Sequence, residues 1–230
     1  MANQTAVVVG AGTGLSAAVA RLLAARGYDL VLGARDTEKL AVLATETGAR
    51  CVTVDGSDPA QMAQIFEDLP SPLRVALYNP SARVRGPVAE LDPETVRKSI
   101  EVTAFGAFLM GQQAARLMLQ NEGTHKGTIL FTGASAGVKG FAQSATFAMG
   151  KFAQRGLAQS MSRELHPKGI HVAWVNIDGA ISNENKGGAD GGNDAKLDPA
   201  AIARSYMHLI DQHRSAWSSE ITLRPWVETF

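Results

Sequence analysis

The chain has 230 residues, with 22 basic side chains balanced by 22 acidic ones and 45% apolar residues. That length suits one large domain around a single core, and the charge balance argues against a general binder of nucleic acid or of membrane surfaces. The apolar runs are too short to span a bilayer, and residues 1–4 lead into a strand without a charged-then-apolar leader, so a cytoplasmic protein is expected.

Residues 5–10, Thr-Ala-Val-Val-Val-Gly, form a β-branched run that reads as a strand buried on both faces. Gly10-Ala-Gly12-Thr13-Gly14-Leu15-Ser16 follows, then a helix over 17–26 with Gly27 as its stop. A second strand spans 29–33, and a helix spans 37–47 with Asp36 as N-cap and Gly48 closing it. Strand 50–54 carries Cys51, the single cysteine, which reads as a reduced core thiol. It leads to Asp55-Gly56, and Asp58-Pro59 starts a helix reaching about residue 69.

A fourth strand, 73–78, ends at Asn79. Asp92-Pro93 opens a helix that continues over 103–121, followed by strand 127–132, a long helix over 144–165 and strand 170–177 ending at Asp178-Gly179. Residues 183–196 are rich in Gly, Asn and Asp, and Asp198-Pro199 restarts a helix through 212 before a last strand at 220–223. The region 183–212 reads as a substrate lid within one domain covering 1–230. The alternation of strand and helix predicts a parallel sheet with helices on both faces.

Strand, glycine-rich turn and helix in succession point to a dinucleotide site at Gly10, Gly12, Thr13, Gly14 and Leu15, where backbone N–H groups meet a pyrophosphate at a helix N-terminus. Arg35 ends the second strand, where an acidic residue would bind the ribose 2′-hydroxyl of NAD. An arginine there clamps a 2′-phosphate instead, and the Thr13 hydroxyl lies in the same turn, so NADP(H) is expected over NAD(H). The five histidines show no ligand spacing, and no metal site is expected. Trp174 reads as core, and Phe105, Phe108 and Met110 as core or helix–helix interface.

These residues resemble the short-chain dehydrogenase/reductase family over nearly the whole chain. The resemblance rests on the Gly10–Gly14 turn, Asp55, Asn79, Lys151 and Asp178-Gly179, which stand in order along the sequence. It implies a Rossmann-like, doubly wound seven-stranded parallel sheet, a nicotinamide cofactor held in part by Asp55, Gly56, Asn79, Lys151 and Gly179, a small-molecule substrate, and a homodimer or homotetramer. The family's Asn, Ser, Tyr and Lys relay matches Thr103, Ala134, Phe147 and Lys151, so this chain resembles a divergent subgroup with Phe in place of the Tyr.

Phe147 has no hydroxyl to exchange a proton. Lys151, one helical turn on, keeps a role toward the cofactor ribose. Three hydroxyls are candidate replacements, each with a bystander as the alternative: Ser144 ahead of Phe147, Ser135 on the turn after the fifth strand, and Tyr206 reaching in from a closed lid. Two functions remain open. One is an NADP(H)-dependent oxidoreductase acting on a small carbonyl or conjugated C=C substrate by a non-standard proton path. The other is a catalytically inactive dinucleotide-binding sensor or assembly partner.

Overall fold

The computed structural model describes residues 3–182 and 194–228. Seven parallel strands lie in the order β3-β2-β1-β4-β5-β6-β7: β1 Gln4–Val9, β2 Tyr28–Ala34, β3 Arg50–Thr53, β4 Leu73–Tyr78, β5 Gly127–Thr132, β6 Ile170–Ile177 and β7 Glu220–Leu223. After β3 the chain returns to the other side of β1, so the connections leaving β1 and β4 diverge at their carboxyl ends. That divergence opens a crevice where such sheets bind ligands.

Successive residues of a strand face opposite sides of the sheet, and β1 shows it: Ala6 and Val8 enter one core, Val7 and Val9 the other. The first core is covered by α1 (Leu15–Ala25), α2 (Ala41–Thr47) and α7 (Pro199–Asp211). The second is covered by α3 (Pro59–Gln64), α5 (Gly106–Met118) and α6 (Ala145–Leu165), and α4 (Pro93–Ile100) packs on α6. Helices α3, α4 and α7 share one start signal: Asp58, Asp92 and Asp198 each accept first-turn N–H bonds, with proline directly after.

Several expectations are corrected. Helix α3 ends at Gln64, short of residue 69, and Asp68 has φ 49°, a left-handed conformation that a helix cannot contain. The helix expected over 37–47 begins with a 3-10 turn, Glu38–Leu40, and Asp36 caps Glu38 N–H in a local turn rather than the α-helix. The lid expected over 183–212 is contradicted in its second half: α7 lies against α1 with Ile202, Ala203, Met207 and Leu209 buried, so it is a layer of the core. Residues 183–193 lie outside the described residues. Cys51 is half-buried at the edge of the first core.

The long helix expected over 103–121 is interrupted by a π-helical turn, Glu101–Phe105. The cause is Tyr78, whose hydroxyl donates to Val102 C=O and so enters the helical ladder. A Cβ on Gly106 would lie 2.1 Å from that hydroxyl, so only glycine fits beside it.

Candidate functional site

The crevice between β1 and β4 has a volume of about 570 Å³ and is lined by the whole turn from Gly10 to Ser16, with Arg35, Asp55, Gly56 and Asn79. Gly10 has φ +80°, and a Cβ there would meet the Pro80 ring at 2.7 Å, so the protein itself demands glycine. Gly12 differs: a Cβ there would meet no protein atom within 4 Å. The space it leaves clear is the crevice. Ser16 is buried; its hydroxyl donates to Gly10 C=O at 3.0 Å and accepts from Asn79 Nδ2 at 2.8 Å, tying β1 to β4. No side chain caps α1, so its first-turn N–H groups carry the positive end of the helix.

The same crevice is also lined by the charged side chains Arg35, Asp36 and Lys39. Asp36 Oδ2 pairs with Lys39 Nζ at 2.7 Å, and that bond holds its carboxyl below the usual range. Lys39 was not foreseen from the sequence. It stands one helical turn after Asp36, a spacing from which the pairing could have been read. Asp55 accepts from both the backbone N–H and the hydroxyl of Ser57, which lower its pKa, with Arg35 adding to the effect. These groups fit a dinucleotide: a glycine cradle lies in the same crevice as Arg35 and the Asp36–Lys39 pair.

A second cleft, of about 830 Å³, adjoins the crevice and shares Asn79, Ser81 and Ile181 with it. Lys151 lines it at 2% exposure, its Nζ donating to Thr132 C=O at 2.6 Å and to Gln154 Oε1 at 3.3 Å. Burial without a carboxylate partner pushes its pKa down to about 7. Gln154, another residue the sequence reading missed, also accepts from Trp174 Nε1 and donates to Thr103 C=O, so it fixes Lys151 to both β6 and the π-turn. Its position one helical turn after Lys151 was the available signal.

Ser135 and Ser144 line this cleft as well. Ser144 is the N-cap residue of α6 with non-helical backbone, and its hydroxyl accepts from Arg83 Nη2 at 3.2 Å. Tyr206 does not join them. It is fully buried in the first core, on the side of the sheet away from α6, with its hydroxyl 2.9 Å from Thr132 Oγ1. The reading of Tyr206 as a lid residue is overturned, because α7 packs on α1 and its apolar stripe carries the tyrosine inward. Gly179 lines the cleft and Lys151 its base, while the other residues expected to hold the cofactor line the crevice.

The sequence profile of the short chain dehydrogenases matches residues 4–186. The chain belongs to that family. A short-chain dehydrogenase structure from Rhodopseudomonas palustris is 36% identical, with a TM-score of 0.83 over 97% of this chain and 99% of that one. A metagenomic short-chain oxidoreductase in complex with NADP is 26% identical, with a TM-score of 0.81 over 97% and 98% of the two chains. The L-2,3-butanediol dehydrogenase of Corynebacterium glutamicum is 28% identical over 205 residues, 80% of this chain and 78% of that protein.

In this short chain dehydrogenase the side chains at 103, 134 and 147 offer the cleft no acid. Thr103 Oγ1 is buried and accepts from Ala82 N–H at 3.0 Å. Ala134 presents a methyl group. Phe147 lies under the Arg83 guanidinium, 5.2 Å from its ring centre. Among the described residues no helix is long and apolar enough to cross a membrane. Four large apolar side chains, Phe105, Phe108, Met149 and Phe152, stand exposed on and beside α5 and α6.

Proposed function

We propose that this chain is an NADPH-preferring oxidoreductase that reduces a small carbonyl or conjugated C=C substrate, with Lys151 rather than a tyrosine supplying the proton. The observation that carries this reading is the junction of the two cavities: a glycine-lined crevice that also holds Arg35 and Lys39 shares Asn79, Ser81 and Ile181 with the cleft lined by Lys151. Bound NADPH would supply the hydride. The crevice would hold it through the N–H groups of the Gly10–Leu15 turn, with Arg35, Lys39 and Thr13 toward the 2′-phosphate.

A general acid works best when its pKa is near the working pH. A lysine at about 7 meets that condition; a serine hydroxyl does not, and Ser144 is occupied by Arg83. On this reading, with Phe147 at the place of the phenol, the chain is a divergent member that has lost the phenol and kept the lysine. The exposed apolar side chains of α5 and α6 support self-association through those helices.

NADPH oxidation against a panel of ketones, keto acids and enones tests the reading. Turnover that falls at least tenfold in Lys151→Met supports it. A second reading, a dinucleotide-binding protein without catalysis, is favoured by the inward bonds of Lys151 Nζ and by the arginine covering Phe147. Tight NADPH binding with no turnover on any panel member would select it.

A further inference from the structure

We infer that the cleft beside Lys151 takes a substrate bearing a carboxylate, held by Arg83 and Arg85. This rests on the reductase reading above and names the substrate class for that site. Among the described residues the cleft lining carries Arg83, Arg85 and the buried Lys151 and no acidic side chain. Some arginines of the molecule are paired with carboxylates, such as Arg21 with Glu46, Arg26 with Asp211 and Arg155 with Glu220, while others, Arg35 and Arg74 among them, form no ion pair among the described residues. Among the described residues Arg83 and Arg85 have no such partner. In a chain of zero net charge, an uncompensated cationic cleft is a local feature that favours an anion.

The segment carrying the two arginines is held in place. Ala82 N–H donates to Thr103 Oγ1 at 3.0 Å, and Ala82 C=O accepts from Ser99 Oγ at 3.0 Å. Val84 is bound twice by Thr146, whose hydroxyl accepts from its N–H at 3.2 Å and donates to its C=O at 2.8 Å. Gly86 N–H reaches Gln143 C=O at 3.2 Å. Thr103 and Thr146 are buried, so these anchors are set in the core. Alternate residues are therefore pinned by their backbone, while the side chains at 83 and 85 line the cleft.

Arg83 is further oriented by the Phe147 ring beneath it and by its bond to Ser144. Only one of its five N–H donors is used there, which leaves an N–H edge of the planar guanidinium suited to bidentate recognition of a carboxylate. The residue that removes the phenol thus supports a guanidinium at the same place.

The test titrates the NADP⁺-saturated protein by calorimetry with pyruvate, acetoacetate and levulinate, each against its methyl ester. Three chain lengths are used because the site fixes the anion and leaves its spacing to the reacting carbon open. At least one acid is expected to bind about tenfold tighter than its ester, the scale of one charge-assisted hydrogen bond. Arg83→Gln and Arg85→Gln should each remove most of that preference, with thermal melts reporting that the variants fold. Esters binding as well as acids at all three lengths would overturn the inference, as would a preference that survives in both variants. NADPH affinity is measured separately. Intact NADPH binding with no response to any acid or ester sinks the carboxylate site alone, whereas loss of NADPH binding sinks the reductase reading with it.

Discussion

Lys151→Met should make the protein more stable at low pH and not at high pH. Burial lowers the Lys151 pKa from 10.5 to about 7, and at 1.36 kcal/mol per pH unit that fall corresponds to about 5 kcal/mol. Below pH 7 both folded and unfolded chains carry the proton, and the folded one holds it out of water at full cost. Between pH 7 and 10.5 the unfolded chain binds more protons than the folded one, so stability from this group rises with pH. Above 10.5 both are neutral and the cost is gone.

Methionine fills similar volume without a charge, but it gives up the bonds to Thr132 C=O and Gln154 Oε1, about 1 kcal/mol each. The net expectation is a gain of roughly 2–3 kcal/mol for Lys151→Met at pH 6, vanishing or reversed at pH 10. Urea unfolding of both proteins at pH 6, 8 and 10, without dinucleotide, measures it. A difference that stays flat with pH, or a less stable variant at pH 6, would refute the claim that the ammonium is desolvated.

Phe147→Tyr with Ala134→Ser should raise ketone reduction by about 10²–10⁴-fold, the usual worth of a general acid, read as NADPH oxidation in the steady state; no increase would mean that Lys151 and the cofactor are not placed as described. The two nearby glycines should respond differently to alanine. Gly10→Ala places a methyl group 2.7 Å from Pro80 at φ +80° and should cost about 1–3 kcal/mol of stability. Gly12→Ala, with no neighbour within 4 Å, should melt near wild type yet bind NADPH at least tenfold more weakly. Melting curves and dinucleotide titrations on both variants check the pair, and a Gly12→Ala protein with unchanged NADPH affinity would count against the cradle.

The frame was legible in the sequence because its signals are local. The glycine turn after β1, the three Asp-Pro helix starts and the β-branched runs each report their own backbone. The π-turn was not legible, because it arises when Tyr78, on a different element, inserts its hydroxyl against Gly106. Tyr206 was misplaced for a related reason: a polar loop before α7 suggested a mobile helix, while the apolar stripe of that helix decided its burial against α1. Arg83 and Arg85 sit in an extended segment with no periodic signature, and what makes them notable is that both line the cleft that holds Lys151. Gln154 reads as an ordinary helix residue until Lys151, Thr103 and Trp174 converge on it.

On the proposed reading the crevice from Gly10 to Leu15, with Arg35 and Lys39, grips a 2′-phosphorylated dinucleotide. Side-by-side titration of the purified protein with NADPH and NADH, followed by nicotinamide fluorescence, tests it most directly. Binding of NADPH at least tenfold tighter than NADH is predicted, with the difference largely lost in Arg35→Ala. No binding of either dinucleotide at saturating concentration, or NADH binding as tightly as NADPH, would contradict it.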